Sequence, residues 1–273
     1  LGAVTALLSE KDAVFVDRLN HASLIDAARL SRAKLHVYPH KDADGLDRLL
    51  ARRDRFRRRM VLTDAYFSMD GDTVPLDELL RVCRHRGALL MIDEAHSTGV
   101  FGAKGRGLTE HFGLQGKIGV VMGTLSKALG RAGGFVAGSS LLKESLVNRS
   151  RPIIYTTAPS PAASAAALAA LGVIREEPAL RGRLWEKIQT VRKALEELGF
   201  NLMGSEGPII PVLVGDTRRA LAGNVFLMER VIFAPVIRPP TVPRGTDRIR
   251  ISLTVSTTLA RDLQQLVPFG YQV

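Results

Sequence analysis

A lysine with two hydroxyl neighbours follows an apolar run of the sequence, in the stretch Thr124-Leu125-Ser126-Lys127. A lysine amine attacks a carbonyl and forms an imine when burial or nearby positive charge lowers its pKa. The hydroxyls of Thr124 and Ser126 leave room for a cofactor and can donate hydrogen bonds to a phosphate. A lysine at a strand end is more often an ordinary surface residue, so Lys127 needs support from elsewhere in the chain.

A second candidate group, Asp93-Glu94-Ala95-His96, ends the continuous apolar run that begins at residue 88. Asp93 could be a metal ligand, a helix cap or the partner of a pyridinium nitrogen. The metal interpretation lacks a third ligand at a characteristic spacing, such as the His-Glu-x-x-His pattern. The pyridinium interpretation has a direct physical basis, because a buried aspartate keeps such a ring protonated and makes it an electron sink.

Three further segments hold polar residues that are weak signals one by one. His21 lies at a strand-to-helix turn, where a histidine is usually a cap or a satisfied polar residue. Ser68 opens a turn that runs to Asp72 and could be a simple loop. Arg250 lies on a predicted strand after the proline-rich segment 238–243, and a forked arginine is the natural receptor for a carboxylate. Each segment alone is a weak signal, and the order in which they follow one another along the chain makes the combined pattern specific.

Short apolar runs alternate with amphipathic helices through the first half of the chain. This alternation predicts an α/β fold with a mostly parallel central sheet and helices on both faces. Ligands of such sheets bind at the carboxyl ends of the strands, where Asp93, Thr124 and Lys127 fall. The predicted strands cover residues 13–17, 34–38, 60–64, 88–93, 118–122 and 134–137, and the predicted helices cover 24–30, 44–53 and 76–85.

The pattern changes after residue 150. An alanine-rich stretch at 158–174, apolar on most faces, predicts a buried connecting helix. The remaining predicted elements are strands at 209–214, 231–237 and 248–255 and helices at 177–198, at 218–229 and from Leu259 onward. We therefore expect a large domain at residues 1–178 and a smaller C-terminal α/β domain at 179–273.

The composition is that of an ordinary globular protein, with 46% hydrophobic and 24% charged residues among 273. A net charge of +11 and six arginines within residues 52–59 leave an anionic partner open. No aromatic interleaving, zinc spacing or recognition-helix pattern supports nucleic acid, and no apolar run approaches the ~20 residues of a membrane span. The single cysteine, Cys83, is expected to be buried and inert, which fits a reducing, cytoplasmic location.

Taken in order, the candidate segments resemble the α-oxoamine synthases, which are fold-type-I enzymes that use pyridoxal 5'-phosphate (PLP). The resemblance covers nearly the whole chain. The matching segments are residues 17–24, 67–72, 93–100, 105–107, 124–127, 133–138, 237–243 and 248–250. Within the family, residues 95–100 and 238–241 resemble the oxononanoate branch more than 5-aminolevulinate synthase or the glycine acetyl-transferring ligase.

The resemblance implies three catalytic residues. Lys127 would form the imine with PLP and later remove a proton from the substrate. His21 would stack on the pyridine ring and contact the substrate. Asp93 would pair with the ring nitrogen.

The resemblance also implies residues that hold the cofactor and the substrate. Ser68 and His96 would form hydrogen bonds near the phenolic oxygen of PLP, and Thr124 would help to hold its phosphate. Arg250 would bind the carboxylate of the amino acid, and Thr241 would contact the substrate.

The implied reaction condenses L-alanine with a pimeloyl thioester, carried by coenzyme A or by a carrier protein. The product is 8-amino-7-oxononanoate, formed with loss of carbon dioxide in biotin synthesis. The family also implies a homodimer, with no nucleic-acid or membrane partner. Two alternatives stay open: a sister synthase that uses glycine or serine with another acyl-CoA, and an inactive relative that acts as a basic interaction module.

Chains of this family normally start upstream of Leu1. The upstream part carries a Gly-aromatic pair that cradles the cofactor phosphate and an arginine that binds substrate. We therefore expect the N-terminal part of the large domain to be missing here. If the molecule begins at Leu1, weak or no activity is expected.

Overall fold

The computed structural model describes residues 1–53 and 55–257. The chain forms two compact units, of which the first comprises Leu1–Phe67 and Val74–Glu176. The second comprises Ser68–Thr73 and the chain from Glu177 onward. The short segment Ser68–Thr73 thus belongs to the second unit, although both of its sequence neighbours belong to the first. The helix predicted from Leu259 lies outside the described residues.

The first unit is built on a six-stranded sheet with the order β2-β1-β3-β4-β5-β6. Its first five strands run parallel, and β6 runs antiparallel to β5. The mostly parallel sheet that the sequence predicts is therefore confirmed. The strands are β1 (Ala13–Asp17), β2 (Lys34–Tyr38), β3 (Arg59–Asp64), β4 (Leu89–Asp93), β5 (Val120–Thr124) and β6 (Gly134–Gly138).

The central strands are buried, as expected for a parallel sheet that is covered on both faces. All five residues of β1 are buried, and only the first residue of β3 is not. Every residue of the edge strand β6 is exposed. Strand β5 starts two residues later than predicted, because its pairing with β4 begins where Val120 lies opposite Met91. That pairing is a tertiary contact and cannot be seen in the apolarity of the run.

Helices α1, α2 and α6 contribute to one core with the central strands. Their apolar residues, such as Val4, Leu24 and Leu146, form one cluster with Val16 and Leu62 of the sheet. The helices of the first unit are α1 (Gly2–Leu7), α2 (Ala22–Leu30), α3 (Ala43–Ala51), α4 (Leu76–His85), α5 (Leu108–His111), α6 (Ser140–Arg149), α7 (Arg151–Ile154) and α8 (Pro161–Glu176).

The buried helix predicted at 158–174 forms but is not buried. It runs from Pro161 to Glu176, and Ala167 is its single buried residue. Leu168 is 69% exposed and Leu171 is 42% exposed. The prediction of burial is wrong for this chain, because an apolar composition does not tell burial within one chain from burial against another.

The second unit contains a three-stranded antiparallel sheet with the order β7-β9-β8. The predicted strand 231–237 is reduced to its last two residues, because Val231 adopts a positive φ of 61° and Pro235 has no N–H to donate. The elements are α9 (Pro178–Glu197), β7 (Ile209–Leu213), α10 (Thr217–Glu229), β8 (Val236–Ile237) and β9 (Arg248–Ser252).

The expectation for the single cysteine is confirmed. Cys83 lies on α4 with 1% of its surface exposed, and burial raises the pKa of its thiol to about 12. A thiol in this state is not a nucleophile at neutral pH.

Among the described residues, no helix combines the length and the apolar character that crossing a bilayer requires.

Candidate active site

Carboxylates end three neighbouring strands of the parallel sheet. Asp17 ends β1, Asp64 ends β3 and Asp93 ends β4, and Asp64 lies directly opposite Asp93 in the β3–β4 register. The carboxyl ends of parallel strands meet at one edge of a sheet, which is where such folds bind their ligands. Thr124 ends the next strand, β5. The sequence-predicted residues Asp93 and Thr124 therefore lie on the same edge.

Asp93 is a buried carboxylate with cations near it. It is 4% exposed, and its Oδ1 accepts a hydrogen bond of 2.8 Å from the backbone N–H of Ala95. Burial raises the pKa of Asp93, while that hydrogen bond and the charges of Lys127, His21 and the Leu1 amino group act in the opposite direction. The structure thus brings the three predicted catalytic residues into electrostatic contact.

Asp64 is a second buried carboxylate, and it is not among the residues predicted from the sequence. It is 4% exposed, and it accepts a 2.7 Å hydrogen bond from the backbone N–H of His21. Its own backbone N–H donates to Oδ1 of Asn20, whose Nδ2 donates to the carbonyl of Leu62. These bonds fix the turn before α2, and with it His21, to the end of β3.

The two opposed carboxylates influence each other's protonation. Burial and the neighbouring charge of Asp93 raise the pKa of Asp64 to about 8, and Asp17 acts in the same direction. The His21 N–H and the charge of Lys127 oppose this shift without cancelling it. Burial also raises the pKa of Asp93, so both carboxyl groups hold a proton more tightly than a free aspartate does.

His21 is the N-cap residue of α2. Its Nδ1 accepts from the backbone N–H of Ser23 at 3.2 Å and lies 2.8 Å from Oγ of Ser23. These contacts with Ser23 hold the ring in one orientation. The cap role expected of an isolated histidine is therefore real. No other part of the described chain covers the ring, which is exposed. Its predicted stacking on PLP stays a prediction.

Lys127 lies in the loop between β5 and β6, and hydrogen bonds join the two ends of this loop. Leu125 N–H donates to the carbonyl of Gly133 at 2.9 Å, and Oγ1 of Thr124 donates to the same carbonyl at 3.1 Å. Oγ of Ser126 lies 2.8 Å from Oγ1 of Thr124. The Lys127 side chain is exposed, and its charge acts on both Asp64 and Asp93.

Glu94, next to Asp93, fixes the loop that follows β4. It is 1% exposed and accepts 2.8 Å hydrogen bonds from the backbone N–H groups of Leu108 and Thr109, together with a bond from Oγ of Ser97. His96 lies within this loop and is partly buried. This structural role of Glu94 was not predicted. The available signal in the sequence was the position of a carboxylate between two candidate site residues, Asp93 and His96.

The remaining predicted site residues belong to the second unit. Ser68 begins the segment Ser68–Thr73, Arg250 lies on β9, and Thr241 is exposed in the proline-rich segment before it. Thr241 N–H donates to the carbonyl of Arg238 at 3.1 Å. Among residues 1–53 and 55–257, no three or more His, Cys, Asp or Glu side chains are grouped so that they could hold a metal ion.

The amino-acid sequence matches a family model over residues 1–266, and the family is described as aminotransferase class I and II. An 8-amino-7-oxononanoate synthase of Symbiobacterium thermophilum is 45% identical over 258 residues, which are 94% of this chain and 66% of that protein. The synthase of Anaeromyxobacter dehalogenans strain 2CP-C is 50% identical over 255 residues, which are 93% of this chain and 64% of that protein. The chain thus spans about two thirds of the length of these curated relatives.

Solved structures share the fold. A serine palmitoyltransferase of S. paucimobilis, with a bound PLP–myriocin aldimine, matches with a TM-score of 0.91 and 30% identity, over 98% of this chain and 68% of that chain. The 8-amino-7-oxononanoate synthase of Francisella tularensis matches with a TM-score of 0.84 and 29% identity, over 98% of this chain and 76% of that chain. The fold is therefore fold type I of the PLP-dependent transferases, as the sequence predicted. The chain belongs to the family of class I and II aminotransferases, and within that family it is similar to the 8-amino-7-oxononanoate synthases.

Proposed function

We propose that the chain is a PLP-dependent acyltransferase that condenses L-alanine with a pimeloyl thioester to give 8-amino-7-oxononanoate for biotin synthesis. The thioester carrier would be coenzyme A or an acyl carrier protein, and the reaction would take place in the cytoplasm. The observation that carries the proposal is the buried carboxyl group of Asp93 at a strand end, on which the charges of Lys127 and His21 act.

The residues present fit PLP. A pyridinium nitrogen needs a buried anion, and Asp93 is buried at the end of β4. An imine with PLP needs a lysine near the residue that binds the pyridine nitrogen, and the charge of Lys127 acts on Asp93. Thr124, at the end of β5, offers a hydroxyl at the same edge of the sheet. Curated relatives that are 45% and 50% identical carry the name of the proposed synthase.

When bound, PLP supplies the electron sink that stabilises negative charge at the α-carbon of the amino acid. Asp93 would hold the proton on the pyridine nitrogen. His21, fixed by its cap bonds and by Asp64, would cover the face of the ring. Lys127 Nζ would remove the α-proton and later return a proton.

The other predicted residues would bind and orient. Ser68 and His96 would donate or accept hydrogen bonds at the phenolic oxygen of PLP, and Thr124 would bind its phosphate. Arg250 would hold the carboxylate of L-alanine through its planar fork, and Thr241 would contact the substrate.

Spectroscopy with PLP tests the proposal. The purified chain with saturating PLP is expected to show the visible absorption of a lysine imine. The Lys127→Ala variant should lose this absorption, whereas Lys143→Ala, which removes an exposed lysine of α6, should keep it. A wild-type chain that stays colourless would refute the catalytic proposal and favour the inactive, basic interaction module.

A sister reaction with serine or glycine is the second candidate, because a serine palmitoyltransferase matches the fold with a TM-score of 0.91. Titration of the PLP-loaded chain with alanine, serine and glycine distinguishes the candidates. The proposal requires that alanine perturbs the imine spectrum at the lowest concentration. A preference for serine or glycine would move the chain to a sister activity.

We also propose that the chain forms a homodimer. The support is apolar surface on α7 and α8, where Ile153, Leu168 and Leu171 are 48%, 69% and 42% exposed. Exposed apolar side chains on a helix such as α8 are typical of protein interfaces. Sedimentation equilibrium should give twice the chain mass, and Leu168→Glu should shift the equilibrium to monomer. A wild-type chain that is monomeric at all concentrations would contradict the proposal.

A further inference from the structure

The segment Ser68–Thr73 is attached to the second unit at several points. Nη1 of Arg248 lies 2.7 Å from Oδ1 of Asp70 and donates to the carbonyl of Met69 at 3.2 Å. Glu206 N–H donates to the carbonyl of Gly71 at 2.6 Å, and Oγ1 of Thr73 donates to the Glu206 carboxylate at 2.5 Å. The segment therefore has side-chain and backbone anchors along most of its length.

Arg248 is the central anchor, because it is a buried cation. It is 2% exposed, and its Nε also donates to the carbonyl of Thr246 at 2.9 Å. A guanidinium that has left water is strongly destabilising unless a carboxylate and hydrogen-bond acceptors surround it. Asp70 is the carboxylate that meets this need, so the position of Asp70 is fixed by the burial of Arg248.

The backbone at Gly71 further restricts the conformations that the segment Ser68–Thr73 can adopt. Gly71 has a φ of +67°, and a Cβ added to it would overlap the carbonyl oxygen of Ile209 on β7. Only glycine allows this close approach without strain. The segment is thus clamped by Arg248 on one side of Gly71 and by β7 and Glu206 on the other.

Ser68 lies directly before the residues that Arg248 holds. Met69 is bonded through its carbonyl and Asp70 through its side chain, so the clamp reaches the residue next to Ser68. Arg248 and Arg250 are two residues apart on β9, so their side chains leave the same face of the strand. One strand therefore carries both the anchor of Ser68 and the predicted carboxylate receptor.

We propose that Arg248 and Asp70 are a pair of positioning residues, which fix Ser68 for its predicted hydrogen bond to the cofactor and hold it in the same compact unit as Arg250. The inference rests on the proposed function, since it assigns a purpose to the predicted contact of Ser68 with PLP. Neither residue is expected to touch the cofactor or the substrate.

The first measurement needs no cofactor. Hydrogen exchange in the apo chain reports the Glu206 amide, which is bonded to Gly71. Asp70→Asn should raise its exchange rate by about tenfold or more, because the clamp loses its charged bond. Leu195→Ala is the matched control: it removes a fully buried side chain of α9 in the same unit and leaves the clamp intact. Equal acceleration in both variants would reduce the pair to general stability and overturn the proposal.

The second measurement uses the PLP imine, whose pKa responds to hydrogen bonds at the phenolic oxygen. Ser68→Ala and Asp70→Asn should shift the pKa of the imine in the same direction, by roughly half a unit. The double variant should shift it no further than the larger single change, and Leu195→Ala should leave it unchanged. An effect of Ser68→Ala without any effect of Asp70→Asn, or full additivity of the two, would overturn the proposal.

The two proposals fail in different ways. A wild-type chain without imine absorption refutes the proposed function, and the exchange rate of the Glu206 amide still decides whether Asp70 clamps the segment. A chain with the absorption but with an imine pKa that ignores Asp70→Asn retains the proposed function and loses the positioning pair.

Discussion

Replacement of Asp64 by asparagine tests the charge assignment at the strand ends. Asparagine keeps the size of the side chain and an oxygen that can accept from the His21 N–H, which lies 2.7 Å from the carboxylate. It removes the ionisable proton. If Asp64 is protonated in the folded chain, this change removes a pH-dependent cost and little else.

The magnitude follows from the difference in pKa. The pKa of Asp64 is about 8 in the folded chain, raised mainly by burial, against 3.8 for the unfolded chain. Between these values the folded state binds more protons, so the free energy of unfolding falls as the pH rises, by about 1.36 kcal/mol per unit. Between 3.8 and pH 7 there are about three units, so Asp64 reduces the stability at pH 7 by roughly 4 kcal/mol relative to acid.

The assay is urea unfolding of the apo chain, followed by far-ultraviolet circular dichroism from about pH 3 to about pH 9, so that it spans the pKa shifts of both Asp64 and Asp47. Asp64→Asn should gain stability over wild type as the pH rises, and the gain should level off above about pH 8. Asp47→Asn is the control of opposite sign, because the hydrogen bonds from Arg86 lower the pKa of Asp47. The contribution of Asp47 is present above pH 3.8 and is lost as the pH falls. A stability difference between Asp64→Asn and wild type that does not change with pH would refute the reasoning.

Three further changes probe the same unit. Glu94→Gln should lower the free energy of unfolding by about 1–3 kcal/mol, since one of two buried backbone N–H groups would face an amide NH₂; urea unfolding measures this. Asp93→Asn should weaken PLP binding by about tenfold or more in fluorescence titration, with Asp26→Asn on the exposed face of α2 as control. Cys83 should react with a thiol reagent only as fast as the chain opens, because its thiol is buried with a pKa of about 12, so mild urea should accelerate the reaction.

Most strands could be predicted from the sequence, because local apolar patterns specify them, whereas the roles of the candidate catalytic residues come from the family resemblance and stay predictions. The run that ends at Asp93 and the hydroxyl–lysine segment that ends at Lys127 mark two strand ends without any tertiary information. The role of Asp64 could not be found in this way. Its raised pKa depends on the register of β3 and β4, which puts it opposite Asp93, and register is a property of the folded sheet.

Two other features could not be predicted from the sequence for a similar reason: Ser68 belongs to the second unit, and α8 is exposed. The segment Ser68–Thr73 is flanked by residues of the first unit, and contacts with Arg248 and Glu206, more than 130 residues later in the sequence, tie it to the second. The apolar composition of α8 led to a wrong prediction of burial, because composition does not show which surface, if any, covers a helix. Both depend on contacts between residues far apart in the chain or outside it.

The raised pKa of Asp64, which lies opposite Asp93, gives cofactor binding and the stability of the fold opposite responses to alkaline pH. When Asp64 loses its proton near pH 8, the buried edge gains a second negative charge, which destabilises the fold. The same charge attracts the pyridinium of PLP, so bound PLP should lower the pKa of Asp64 by linkage. Carbon-13 NMR of the aspartate carboxyl groups should therefore show Asp64 titrating at lower pH in the PLP-loaded chain than in the apo chain. An unchanged or higher value would mean that Asp64 does not sense the ring, and that its role is confined to holding His21.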